Sequence, residues 1–158
     1  MRIITVHFNQ MGKKRNRHPQ SEFTPNSIKV PRQKEIVTNY KTQHPSWQIS
    51  RVDEDGKWGW NSIGVDEFKS EILAKIKNFE TITWAEILGD KNHEVSISEI
   101  SKDAKKRLAQ LKLEDIESLV SLRLTGRKRI WGIRDVSVFK ILWWDPEHEV
   151  YPSTLRGT

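Results

Sequence analysis

The sequence predicts an α+β domain: an N-terminal β-hairpin and amphipathic helices packed on a twisted antiparallel sheet that ends in a three-stranded meander. Three observations carry this. Apolar residues, tryptophans prominent among them, alternate with polar ones on both sides of Asp55-Gly56. The apolar period lengthens to that of a helix in "VDEFKSEILAKIKNFE". It shortens again to that of a strand in "ESLVSLRLTG", "RKRIWGIRD" and "SVFKILWWD".

In chain order, MRIITVHF reads as a short strand. From Asn9 to His44, GKKRNRHPQS is followed by scattered Pro, Asn, Gln and Lys, with few core residues. Such a stretch buries too little apolar surface to offset its ordering entropy, which predicts an extended or disordered arm. The chain thus divides into a basic arm, residues 1–46, and an α+β domain, residues 47–158. In the domain, Trp47, Ile49 and Val52 precede Asp55-Gly56, and Trp58, Trp60 and Ile63 follow it. Asp-Gly between alternating runs signals a hairpin, because glycine accepts the positive φ of a tight turn. The aromatic residues of the two arms would then pair across strands and face the core.

The helical run places Phe68, Ile72, Leu73, Ile76 and Phe79 on one face, opposite Glu67, Glu71, Lys75 and Lys77, with Asp66 as N-cap. Thr83 and Glu86 have capping-box spacing ahead of a short helix carrying Trp84, Ile87 and Leu88, which Gly89 ends. HEVSISEI reads as a strand, and Ser101 caps a helix whose Ala104, Leu108 and Leu111 form an apolar stripe. In the meander, Val120, Leu122 and Leu124 point inward and Ser121, Arg123 and Thr125 outward, with the last two strands joined at Asp135. The helices are expected on one face of the sheet.

The chain of 158 residues has no apolar run long enough to span a membrane, and MRIITVHFNQ lacks the apolar core of a secretory signal. The absence of cysteine excludes disulfides, thiolate ligands and cysteine nucleophiles, and suits a cytoplasmic protein. Residues 1–63 hold eleven Lys/Arg against five Asp/Glu, while residues 64–158 hold sixteen of each. That asymmetry predicts either attraction to a polyanion, RNA or DNA first, or a merely soluble surface.

Five bases and no acid occupy residues 123–134: Arg123, Arg127, Lys128, Arg129 and Arg134. Strand alternation puts Arg129 with Trp131 and Ile133 on one face, and Ile130 and Gly132 with Arg134 on the other. One of the two arginines therefore lies near the core rim and needs an anion. That anion is either a carboxylate such as Asp145 or Glu147, or a phosphate gripped by the planar guanidinium. His148 and Tyr151 either flank a polar turn or serve as acid and base in metal-free phosphodiester cleavage. No separated ligand pair, phosphate loop or nucleophile elbow points to a metal, a cofactor or a serine mechanism. Trp143 and Trp144 must face opposite sides of their strand; one joins the core, and the other meets a second layer, an interface or a nucleobase, with the arm or a partner protein the preferred cover.

Over residues 93–152, "SKDAKKRLAQL", "RLTG", Arg129, the apolar strand and the closing His148 and Tyr151 resemble the RelE/ParE/HigB-like bacterial toxin superfamily. The resemblance implies a RelE-like fold and a toxin-type ribonuclease of bacterial or phage origin, with an antitoxin protein as partner. By it, Arg129, His148 and Tyr151 would be catalytic. Arg123, Arg127, Lys128 and Arg134 would contact nucleic acid, joined by Lys13, Lys14 and Arg15 of the arm. The first ninety residues depart from the compact family pattern. The alternative is a non-catalytic module that docks nucleic acid or protein on the basic meander.

Overall fold

The computed structural model describes residues 39–89 and 91–152, all within one compact unit, Val37–Thr158. The strand expected in MRIITVHF, most of the expected arm, and Lys13, Lys14 and Arg15 lie outside the described residues. The fold is α+β, as expected. Five strands, β1 (Ser46–Gln48), β2 (His93–Ser96), β3 (Ser118–Arg123), β4 (Arg129–Asp135) and β5 (Val138–Asp145), form one sheet in the order β1-β5-β4-β3-β2. The β3–β4–β5 meander is antiparallel, as its periodicity requires.

Two expectations are corrected. The sheet is mixed rather than antiparallel, because β1 runs parallel to β5, from Ser46 opposite Val138 to Gln48 opposite Lys140. No β-hairpin forms at Asp55-Gly56. Gly56 does take φ +87°, but the chain folds into a tight loop with Trp60 N–H bonded to Asp53 O (2.9 Å) and Gly59 N–H to Gly56 O (3.2 Å). The reason is competition from β5: Asp53 N–H donates to Leu142 O and Trp144 N–H to Trp58 O, each at 2.9 Å. The backbone groups that a hairpin would pair internally are thus spent on extending the sheet edge beyond β1.

The helices cover both faces of the sheet, not one. Short α1 (Val65–Glu67) runs through a π-helical stretch, Phe68–Leu73, into α2 (Ala74–Glu80), followed by α3 (Trp84–Ile87). Their Ile72, Phe79, Trp84 and Ile87 pack with Val120, Leu122, Ile130, Phe139, Ile141 and Trp144. Helix α4 (Lys102–Gln110) sends Ala104 and Leu108 to the opposite face, against Leu119, Trp131, Leu142 and Trp143. Neighbours such as Ile130 and Trp131 fall in different clusters because strand side chains alternate. A sheet buried on both faces accounts for β3 having four consecutive buried residues.

Opposite Trp131 and Gly132, β5 carries an extra residue, Leu142, so Trp131 faces Trp143 while Gly132 faces Ile141. A Cβ on Gly132 would lie 2.5 Å from Lys140 O, so only glycine fits this bend. The bulge places Leu142 and Trp143 together on the α4 side and Trp144 on the other. Both tryptophans are buried, Trp143 in the α4-side cluster against the Trp58 ring at 5.3 Å and Trp144 in the cluster on the other face, so each meets a second layer.

The caps follow the sequence in two cases out of three. Glu86 accepts from the backbone N–H and the hydroxyl of Thr83, both at 2.7 Å. Ser101 accepts from Ala104 N–H at 3.3 Å. At α1 the N-cap is Gly64 and Asp66 sits in the first turn. The π-helical stretch also shifts the phase of the apolar face. Ile72 and Phe79 are buried, but Phe68 and Leu73 remain exposed and line an open apolar groove with Trp47, Ile49 and Trp60.

Candidate functional site

The β2–β3–β4–β5 registers lay out two rows of side chains on the α4 face. One runs His93, Ser121, Trp131, Trp143, each opposite the next. Two positions toward the end of the sheet, Arg123, Arg129 and Asp145 form the second. Cross-strand partners share a face, so the two arginines stand side by side, next to His93 and Ser121. Like charges directly opposite each other destabilise a sheet unless something anionic lies against them.

The chain leaving β5 then hooks back over this corner. Asp145, fully buried, accepts from Glu149 N–H and Val150 N–H (both 2.9 Å) and from the Trp131 indole N–H (3.2 Å). Val150 is buried in the α4-side core, and its carbonyl accepts from Ser101 N–H at 2.8 Å. This tie fixes the turn between, where His148 takes φ +63°. Just past it, the Tyr151 ring meets the His93 ring edge-on at 6.2 Å. The hook exists because one carboxylate gathers three donors; Asp145 shapes the site and does not form an ion pair with Arg129.

Arg129 is partly buried, yet Nη1 donates only to backbone carbonyls, Gly126 O and Lys128 O, both at 3.0 Å. Burial, and next the neighbouring Arg123, push its pKa below the ordinary arginine value, against the pull of Asp145. His148 is pushed down as well, first by burial and then by Arg129, with Asp145 opposing. Its imidazole is therefore neutral near neutral pH and has a lone pair to offer. The buried Ser121 hydroxyl, between His93 and Trp131, has no hydrogen-bond partner.

The structure thus brings together Arg123, Arg129, His148 and Tyr151. It takes other expected contacts elsewhere. The Lys128 ammonium is held by Glu67 (2.7 Å) and Glu71 (2.8 Å) of the helical run 65–80. Arg134 is on the opposite face, its guanidinium 3.8 Å over the Tyr40 ring and 3.4 Å from Glu94. Arg127 is exposed at the β3–β4 turn, 3.9 Å from Glu147. Sequence reasoning missed His93 and Ser121. The alternation of HEVSISEI puts His93 on one face with Val95, but only the β2–β3 register reveals which residues that face meets.

Two imidazoles, two guanidinium groups and a phenol on one corner can bind a phosphate diester, move protons on either side of it and neutralise added negative charge. Comparison with family models, curated proteins and solved structures gave no match, so the reading of the site rests on its geometry alone.

Proposed function

We propose that the protein is a toxin-type, metal-independent endoribonuclease. The observation that carries this is the pair Arg123 and Arg129, adjacent across β3 and β4 and in no ion pair among the described residues, close enough to the His148 imidazole to help hold it neutral near neutral pH. In this reading the arginines clamp the scissile phosphate through their planar donors. Neutral His148 takes the proton of the ribose 2′-hydroxyl, and the 2′-oxygen attacks phosphorus. The P–O5′ bond breaks, the departing 5′-oxygen takes a proton from the His93–Tyr151 pair, and a 2′,3′-cyclic phosphate remains. Arg129 stabilises the charge that builds on the non-bridging oxygens.

The meander preceded by α4 supports a RelE-like assignment. With it go a cytoplasmic setting, a bacterial or phage origin and an antitoxin protein as natural partner. The test is incubation of purified protein with RNA and with DNA of the same sequence. RNA fragments ending in a cyclic phosphate, absent with Arg129→Ala and His148→Ala, are the expected result. DNA, lacking the 2′-hydroxyl, stays intact. Uncut RNA at all protein concentrations would overturn the reading. The second reading, a binding module without catalysis, is favoured by Arg127, whose side chain is 78% exposed at the rim of the site. It predicts salt-sensitive retention of intact RNA.

A further inference from the structure

Beside the catalytic corner lies a second feature that cleavage does not use. Lys75, Lys91, Asn92, Arg123, Leu124 and Gly126 line a pocket of about 280 Å³. Three of the six are cations, and no acidic side chain is among the described lining residues. Its walls are tied down. Asn92 donates to Ile87 O (2.8 Å) and accepts from Arg123 N–H (2.7 Å), fixing the approach to β2 against both α3 and β3. Across from it, Leu124 N–H bonds to Lys128 O (3.0 Å) and Lys128 N–H to Thr125 O (2.9 Å), closing the turn at Gly126. Lys75 is held with its ammonium 5.1 Å over the Phe79 ring.

Arg123 is common to both features. It lines this pocket, and it also stands beside Arg129 within the field that acts on His148. We propose that the pocket is a second phosphate subsite, so that the ligand is a polynucleotide strand held through at least two phosphates, one at Arg123–Arg129 and one at Lys75–Lys91. The volume is several times the ~30 Å³ that a water occupies, enough for a phosphate with part of its sugar. Among the described residues none of these three cations is in an ion pair, whereas Lys128 and Arg107 are each held by carboxylates. This assignment deepens the nucleic-acid reading above and rests on it.

The test uses two uncleavable probes, a 2′-O-methyl oligoribonucleotide and a 2′-O-methyl dinucleoside monophosphate, the latter with one phosphate. In the full-length protein, Lys75→Gln combined with Lys91→Ala is expected to weaken the oligonucleotide about tenfold and to flatten its salt dependence. The log–log slope should fall by about 1.4, two contacts at ~0.7 each. Binding of the dinucleoside monophosphate stays unchanged. An unchanged oligonucleotide affinity, or an equal loss for both probes, overturns the subsite. Lys91→Ala alone, at an exposed position, gives the same contrast at half the size should the double variant unfold. If wild-type protein cuts no RNA while oligonucleotide binding still depends on Lys75 and Lys91, the nuclease reading falls and the subsite stands.

Discussion

Arg107 and Arg129 both lie on the α4 side of the sheet beside buried tryptophans, and they are held in opposite ways. Arg107 forms a two-pronged pair with Asp53, Nε to Oδ2 at 2.8 Å and Nη2 to Oδ1 at 2.6 Å, and reaches Gln110 and Asp55 O as well. Asp53 also accepts from the Trp143 indole at 2.9 Å, so α4, the 52–59 loop and β5 meet on one carboxylate. The hydrogen bonds that Arg107 donates to Asp53 raise its pKa. Arg129 bonds only carbonyls and stands between Arg123 and an Asp145 already taken up by other donors, and burial and Arg123 lower its pKa against the pull of Asp145. A guanidinium bonded through all three of its nitrogens to a carboxylate and its neighbours is a structural part; one left beside a like charge has room for a ligand's anion.

That contrast can be broken by mutation. The largest effect is expected on catalysis. His148→Ala and His93→Ala should each slow RNA cleavage by ~10²–10⁴, the usual worth of a placed acid or base. Their thermal midpoints should stay close to wild type; a rate within a few-fold of wild type would show that the corner is not an active site. Next comes Asp53→Ala, which strands Arg107 and the Trp143 indole. It should cost about 3 kcal/mol in denaturant unfolding, the low end for a broken buried pair because the Arg107 side chain is 25% exposed. The remaining folded protein should cut RNA normally.

A smaller effect sharpens the comparison through pH. Burial and Arg129 hold His148 below its ordinary pKa, so between the folded value and about 6.5 the unfolded chain binds more protons. Stability from this group is complete above that window and falls as pH drops through it. The difference in thermal midpoint between wild type and His148→Ala, followed from pH 8 to pH 5, should show that loss in the wild type only. The same shift keeps the base form of His148 populated below pH 6.5, so the acid limb of the cleavage profile should be displaced to lower pH. The smallest effect belongs to Lys128→Ala. With its ammonium committed to Glu67 and Glu71 at the surface, its loss should leave cleavage unchanged and shift the midpoint only slightly.

What was legible in the sequence follows the distance over which residues cooperate. The meander could be read because β3, β4 and β5 pair with their neighbours in the chain. The caps at Thr83 and Ser101 are settled within a turn. The parallel β1–β5 pairing could not be read, since a three-residue strand meets its partner from the far end of the domain. Nor could the fate of Asp55-Gly56, whose local turn signal lost to hydrogen bonds from the β5 edge. At the site, Arg129, His148 and Tyr151 stood out because the hook follows directly on β5. His93 needed the β2–β3 register, and the diversion of Lys128 needed the helical run 65–80 placed over the β3–β4 turn.

The place of β5 in the sheet also bears on how the domain is born. Chains emerge from the ribosome in sequence order and fold as units become complete. Here β1 appears early, yet the strand it pairs with is the last of the five. Until residues 138–145 arrive, Trp47 and Trp58 have no finished surface to bury against, and the loop at 52–59 has no edge to join. Residues 146–151, with His148 and Tyr151, arrive after that strand. A growing chain therefore carries its arginines and His93 for some time before it carries His148 and Tyr151, and the corner is complete only in one late step.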